Sequence, residues 1–281
     1  MISKYEDINQ QNYNKDAKSH AKFNLNSTLY LAYRDSDMLL KTHLFERLPK
    51  KSYRVLDYGC GTGLSTSIYA QIITESGYEL EIIGADINNE NLTIAQNSIA
   101  NGKFIHITPD QDLKFLGKFD LIICNFVLVE HPFEEMLDIV KRLQPLLDVT
   151  GVLITTNATR QAYKTSNKWY TLKNDFQENL PQEVTTSNSR LKDDQPVSLA
   201  VLDPVKKSEM FRFYDFFHSG KSYQKAYLCA GLELMQTHRP LGTLNDGIPW
   251  ESEKDATPYK IHVLYPKNNH ELTPTLTIPL K

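Results

Sequence analysis

The 281-residue chain has little cysteine, no strong charge bias and no long apolar run, and each shortage removes a class of protein. Its three cysteines, Cys60, Cys124 and Cys229, are odd in number and far apart. They form no CxxC pair and no Cys/His ligand spacing, so neither a disulfide framework nor a metal site is expected, and a cytoplasmic setting is. A net charge of −3 offers no global field to a polyanion, and the basic doublets are confined to Lys50-Lys51, Lys141-Arg142 and Lys206-Lys207. Nucleic acid is therefore not an expected partner. The longest apolar stretch, Leu121 to Val129, is interrupted by Asn125 and falls well short of the roughly 20 residues that span a bilayer. The opening residues Met1 to Asp7 lack an apolar core, so neither a signal peptide nor a membrane partner is expected.

What is present is an alternation of short β-branched runs with helical patterns. Residues 1–27 are rich in Asn, Gln, Lys and Ser. Leu31, Met38, Leu39, Phe45 and Leu48 then recur near helical spacing until Pro49. Residues 1–49 accordingly read as an N-terminal helical arm or lid. From residue 50 the pattern predicts strands over Tyr53–Tyr58, Leu80–Ala85, Lys103–Ile107, Phe119–Cys124 and Gly151–Thr156. Helices are predicted over Leu64–Thr74, Asn89–Ile99 and Pro132–Leu147. Buried strands alternating with helices define an α/β protein, with a Rossmann-like, doubly wound and mostly parallel sheet. The alternation stops at Asn157. Residues from about 160 to 218 are polar and too thin in apolar content for a core of their own, so they read as an insertion covering a substrate. A helix over Ser222–Cys229, closed by Ala230-Gly231, resumes the pattern. Two strands, Leu232–Thr237 and Ile261–Tyr265, follow as an antiparallel hairpin, and 50–281 is read as one domain carrying the insertion.

The chemistry concentrates where the first strand meets the first helix of that domain, at Asp57-Tyr58-Gly59-Cys60-Gly61-Thr62-Gly63. Glycine tolerates positive φ and lets a ligand approach the backbone, and a helix start presents unpaired N–H groups. The turn suits an adenosyl ligand lying across the carboxyl ends of the strands. Its glycine spacing differs from the G-x-G-x-x-G of dinucleotide binders, because Leu64 stands where the third glycine would follow. The second strand ends about twenty residues later on Asp86, a carboxylate placed to accept hydrogen bonds from ribose hydroxyls.

Val55 to Gly63 resembles the first motif of class I S-adenosylmethionine-dependent methyltransferases. Gly84-Ala85-Asp86-Ile87 resembles their second, and Phe119 to Asn125 their fourth-strand motif. Leu143 to Gly151 resembles the family's segment before strand five in altered form, and Ala230 to Leu234 its closing helix and strands. The resemblance implies S-adenosylmethionine as cofactor and S-adenosylhomocysteine as product. It implies that Gly59, Cys60, Gly61, Thr62 and Gly63 contact the methionine and ribose portions, that Asp57 helps hold the amino group, and that Asp86 binds the ribose. Ile87 is placed against the adenine face, Asp110 with its neighbour Gln111 near the adenine amino group, and Asn125 and Phe126 on the methionine side. Tyr13, in a segment similar to the tyrosine-x-x-x-alanine of small-molecule members, is expected to fold over the cofactor.

No motif names the acceptor. Methyl transfer from a sulfonium requires a placed nucleophile and exclusion of water more than any particular residue. His131 is the candidate general base. Tyr214, Phe217 and His218, in the aromatic run from Phe211, are candidate substrate contacts, joined by Tyr30 and Arg34 of the early helix. A small-molecule acceptor is favoured, with its N, O or C atom left open. Asn125-Phe126-Val127-Leu128 lacks the Asn/Asp-Pro-Pro-aromatic signature of exocyclic-amine methylation on nucleic acid, and no Pro-Cys nucleophile follows strand four. A protein or nucleic-acid methyltransferase, or a non-catalytic nucleoside-binding module, remains the alternative reading.

Overall fold

In the computed structural model of the chain, residues 8–12, 25–99, 102–174 and 191–267 are described. Tyr13 lies outside them. Residues 8–12 are helical (α1). The periodic segment before Pro49 forms three short pieces rather than one helix: α2 (Tyr30–Tyr33), α3 (Ser36–Leu40) and a π-helical turn over Lys41–Phe45.

Among the described residues, ten strands follow in two sheets. The larger is built from β1 (Ser52–Tyr58), β2 (Glu79–Asp86), β3 (Lys103–His106), β4 (Phe119–Ile123), β5 (Leu147–Ala158), β9 (Leu232–His238) and β10 (Tyr259–Pro266). Their order is β3-β2-β1-β4-β5-β10-β9. The pairs from β3 to β5 are parallel, whereas β10 runs antiparallel to both β5 and β9. Helices α4 (Leu64–Glu75), α5 (Asn89–Ser98), α6 (Phe133–Leu143) and α7 (Gly220–Cys229) complete the α/β unit.

Both faces of this sheet are covered, which is why its strands read as continuous apolar runs rather than as alternation. Leu56, Ile83, Ile122 and Leu153 belong to one buried cluster, with Met136, Val140 and Leu143 of α6 and Tyr223 and Tyr227 of α7. Their chain neighbours Val55, Ile82, Leu121 and Ile154 belong to the other, with Leu31, Leu39, Leu40, Tyr69 and Ile73. The early helical pieces thus cover the sheet on the α4 side. Helix α6 is apolar on its buried face, carries Glu134 and Glu135 in its first turn and ends on Lys141 and Arg142. That charge order complements the helix dipole.

The insertion contains structure that its polar composition does not announce. Strands β6 (Leu172–Asn174), β7 (Gln195–Leu202) and β8 (Glu209–Phe217) make a separate antiparallel sheet in that order. Its apolar residues Leu172, Val197, Leu199 and Phe217 pack into the same cluster as the main sheet. Strand β8 is a free edge, and α1 covers part of it with side chains in place of a strand. The Asn9 amide donates to Tyr214 O (2.8 Å) and accepts from Tyr214 N (2.8 Å), and Asn12 donates to Arg212 O (3.1 Å). Among the described residues no helix is long and apolar enough to cross a membrane.

Candidate active site

Strand β1 lies between β2 and β4, so the chain leaves it toward one side of the sheet and later returns on the other. A crevice opens at such a switch point, outside the carboxyl ends of the strands. Three segments meet there: the turn after β1, Asp86-Ile87-Asn88 after β2, and Asn125-Phe126-Val127 after β4. They border one cavity of about 1650 Å³. The ordinary range for ligand pockets is roughly 300–1,000 Å³.

The turn is built from left-handed backbone, with Gly59, Gly61 and Gly63 at φ 72°, 53° and 90°. Gly59 N (2.7 Å) and Cys60 N (3.1 Å) donate to Ala85 O, tying the turn to the end of β2. At Gly59 the space a Cβ needs is already filled, since Cγ2 of Val127 lies 2.2 Å from that position. The first glycine is thus required by φ and by the loop after β4 together. Phe126 also takes positive φ (62°), although it carries a side chain. Its N–H donates to Thr156 O (2.8 Å), and its ring meets Tyr259 edge-on with centroids 5.2 Å apart. A bulky residue held in that region is strained, and such strain gathers at ligand sites.

Asp86 shapes the turn as well as facing the cavity. Its Oδ2 accepts from Gly61 N (2.7 Å) and its Oδ1 from Asn88 N (2.8 Å). Burial raises its pKa, while these backbone donors hold it down. Each carboxylate oxygen offers two lone pairs, so capacity for ribose hydroxyls remains. Ile87 stands 41% exposed on the same wall. Asn125 is buried and lines the cavity, and the Tyr33 and Tyr69 hydroxyls hydrogen-bond to its side chain. Open left-handed backbone, a carboxylate at the second strand end, an exposed aliphatic wall and a buried carboxamide fit an adenosyl amino acid.

Asp57 departs from its expected place. It does not line the cavity, because Ser65 Oγ (2.5 Å) and Thr66 Oγ1 (2.6 Å) of α4 both donate to its Oδ2 and draw it beneath the turn. Its Oδ1 is buried without a partner, and burial pushes its pKa up to about 6 against the donors that oppose the shift. Gly63 also stays off the cavity surface. It packs against α5, where a Cβ would meet Ile99 Cδ1 at 2.8 Å. Gln111 turns away too, its side-chain oxygen accepting from Thr108 N (3.2 Å), whereas Asp110 lines the cavity. Cys60 and Thr62 line it as expected. Burial drives the Cys60 and Cys124 thiols upward in pKa, so neither is a thiolate nucleophile.

The acceptor side needs more correction. His131 does line the cavity, with Nδ1 3.4 Å from Glu135 Oε2. Tyr214, Phe217 and His218 do not. Tyr214 has the wrong parity on β8, since its neighbours Phe213 and Asp215 line the cavity. Phe217 lies beyond the cavity against Tyr163, with centroids 6.0 Å apart. His218 is buried, donates from Nε2 to His131 O (2.8 Å) and is held neutral by burial, so it anchors the end of β8. Tyr30 stacks on Trp250 (6.3 Å) and Arg34 engages Asp35 and Asp246, both away from the cavity.

A further part of the lining comes instead from the insertion, with Leu199, Val201, Met210, Phe211, Phe213 and Asp215. The roof comes from the segment before α2. Thr28 N donates to Thr171 Oγ1 (2.8 Å), Thr171 N donates back to Thr28 Oγ1 (3.0 Å), and Thr28 Oγ1 donates to Glu253 (2.7 Å). Tyr170 N also donates to that fully buried carboxylate (2.7 Å). None of these long-range contacts has a local motif. The readable hint was a lone carboxylate, Asp215, inside an aromatic run.

A family model described as a methyltransferase domain matches residues 49–224. The chain belongs to this methyltransferase-domain family, of the class I type whose cofactor is S-adenosylmethionine. Among curated proteins it is similar to a ubiquinone biosynthesis O-methyltransferase of Mesorhizobium japonicum, with 33% identity over 86 residues, covering 30% of this chain and 32% of that protein. An uncharacterized protein of Rickettsia prowazekii is 25% identical over 125 residues, covering 42% of this chain and 48% of its own. The chain thus spans about a third to a half of the length of these curated relatives. Two solved structures share the fold. One is an S-adenosylmethionine-dependent methyltransferase from Clostridium acetobutylicum, with 15% identity, TM-score 0.54, and 92% of this chain and 98% of that one covered. The other is an amino pentose methyltransferase from Micromonospora echinaspora bound to S-adenosylmethionine, with 17% identity, TM-score 0.52, and 90% and 96% covered.

Proposed function

We propose that the protein transfers the methyl group of S-adenosylmethionine to a small molecule held between the glycine turn and the inserted sheet. The observation that carries this reading is the continuity of the cavity. One space of about 1650 Å³ runs from Gly59, Gly61 and Asp86 to Phe211, Phe213 and Asp215. That exceeds what one drug-sized ligand occupies, by the roughly 300–1,000 Å³ range of such pockets, and leaves room for cofactor and acceptor side by side. Enclosure by the insertion and by the Thr28–Thr171–Glu253 roof suits a compact acceptor and keeps water from the reacting atoms.

The bound cofactor supplies a methyl group already activated on a sulfonium. The chain's own contribution is placement. Asp86 and the turn orient the nucleoside, Asn125 completes the amino-acid end, and Phe126 with Tyr259 closes the floor between the two halves. His131, on the wall with Glu135 behind it, is placed to take a proton from an acceptor. Small-molecule methylation is also what the names of the ubiquinone and amino pentose enzymes describe.

The test is transfer of labelled methyl from S-adenosylmethionine in separate incubations with a low-molecular-weight cell ultrafiltrate, total protein and total RNA. Label is expected in the ultrafiltrate alone. Label entering protein or RNA instead refutes the small-molecule reading, and failure of S-adenosylhomocysteine to bind in calorimetry refutes the cofactor reading.

A further inference from the structure

The inserted sheet ends its apolar wall on a carboxyl group. Phe211, Phe213 and Asp215 are alternate residues of β8 and all line the cavity, while Leu199, opposite Phe213 on β7, widens the same strip. Asp215 is 2% exposed. Its Oδ2 accepts the Tyr163 hydroxyl (3.0 Å), and its Oδ1 is buried with no hydrogen-bond partner among the described residues. A buried carboxylate with one oxygen pinned and the other unsatisfied is complete only when a ligand donates to it.

The surroundings say what kind of donor. Glu130, also on the cavity wall, acts on Asp215 as a like charge. Among the described residues the lining carries seven carboxylates against three Lys or Arg side chains, Lys141, Arg142 and Lys206. A neutral alcohol would satisfy the open oxygen but bring no charge to the excess of carboxylates. An anionic acceptor would add to it. A cation relieves it, and a cationic head on an apolar body matches a strip of Phe211 and Phe213 that ends on Asp215.

We propose that the acceptor is an amine, its apolar body lying on Phe211, Phe213 and Leu199 and its ammonium group donating to Oδ1 of Asp215. This rests on the methyl-transfer reading above and names its substrate class. The ammonium N–H bond breaks with its electron pair kept by nitrogen, and the proton passes to the Asp215 carboxylate, which for an amine held there takes the part given above to His131. The amine becomes neutral and the carboxylate becomes a carboxylic acid. The freed lone pair is then the nucleophile that methyl transfer requires. Burial and the Glu130 charge raise the basicity of Asp215, as a proton acceptor for an amine needs. Tyr163 is the positioning residue, since its hydroxyl holds Oδ2 so that Oδ1 faces the ligand.

The experiment measures binding of phenethylamine, 2-phenylethanol and phenylacetate by calorimetry to the protein saturated with S-adenosylhomocysteine. Phenethylamine is expected to bind at least roughly tenfold tighter than either analogue, and Asp215→Asn to abolish that preference while keeping S-adenosylhomocysteine affinity. Equal binding of the alcohol, tighter binding of the carboxylate, no binding of the amine, or an unchanged preference in Asp215→Asn each overturns the proposal. The three-probe comparison on the unmodified protein decides the charge preference even where the variant does not fold. Failure to bind S-adenosylhomocysteine at all overturns the methyl-transfer reading itself, whereas its binding without an amine preference overturns only the acceptor class.

Discussion

Replacing Gly59 by alanine places a Cβ 2.2 Å from Cγ2 of Val127 and keeps the residue at φ 72°. The two penalties have separate origins. Left-handed backbone in a residue with a Cβ costs about 1–2 kcal/mol. Forcing a β-branched neighbour from its place in a packed loop costs about 1–3 kcal/mol more. The sum, about 2–5 kcal/mol, corresponds to a fall in Tm of roughly 5–15 °C for a chain of this size. Because the strained backbone is also the cavity wall, S-adenosylhomocysteine affinity falls with it. Adding Val127→Ala removes Cγ2 and relieves only the steric part, so the double variant recovers about 1–3 kcal/mol of the loss in a double-mutant cycle. Thermal melts and calorimetry on the four proteins decide this. If Gly59→Ala melts within about 1 °C of the parent, or the cycle shows no coupling, the two loops do not meet as described.

Asp57 makes stability pH-dependent in a stated direction. Its folded carboxyl is raised to about 6 from 3.8, so the folded state holds a proton that the unfolded state releases, and stability rises as pH falls through that window. The shift corresponds to about 3 kcal/mol. The parent-minus-Asp57→Asn difference in unfolding free energy is expected to carry that slope, and a flat difference refutes it. Asp86→Asn keeps one acceptor but turns an amide N–H toward Gly61 N or Asn88 N. The resulting loss of about 1–3 kcal/mol should weaken S-adenosylhomocysteine binding roughly tenfold or more, and unchanged affinity in calorimetry contradicts the assignment. Thr28→Val removes the donor to Glu253 and the acceptor for Thr171 N. Hydrogen exchange at Thr171 should accelerate by the factor that about 1–3 kcal/mol implies, and unaltered protection means the roof is held elsewhere.

The architecture around the glycine turn was legible because its signals are local. A strand, a turn needing positive φ and a helix start lie within a dozen residues, and the next strand end delivers Asp86 from the same βαβ unit. Gly59, Gly61, Asp86, Ile87 and Asn125 reach the cavity for reasons carried by their own segments. Asp57 sat inside the same motif yet was misplaced. Its direction depends on Ser65 and Thr66, whose hydroxyls compete with any ligand for the carboxylate. The early helical segment was read as continuous because spacing shows periodicity but not the interruptions at Arg34-Asp35 and at the π-helical turn.

The chain alone therefore determined the sheet and the switch point, which follow from periodicity and from glycine and carboxylate positions within neighbouring segments, and the cofactor through the family resemblance those motifs carry. Only the tertiary structure decided which residues of the insertion line the cavity. In the aromatic run from Phe211 to His218, every residue is sticky or polar enough to touch a substrate, and sequence offers no means of choosing among them. The pairing of β8 with β7 sets which side of the strand turns inward. A strand's side chains alternate faces, so that single register decision selects Phe211, Phe213 and Asp215 and sends Tyr214 away.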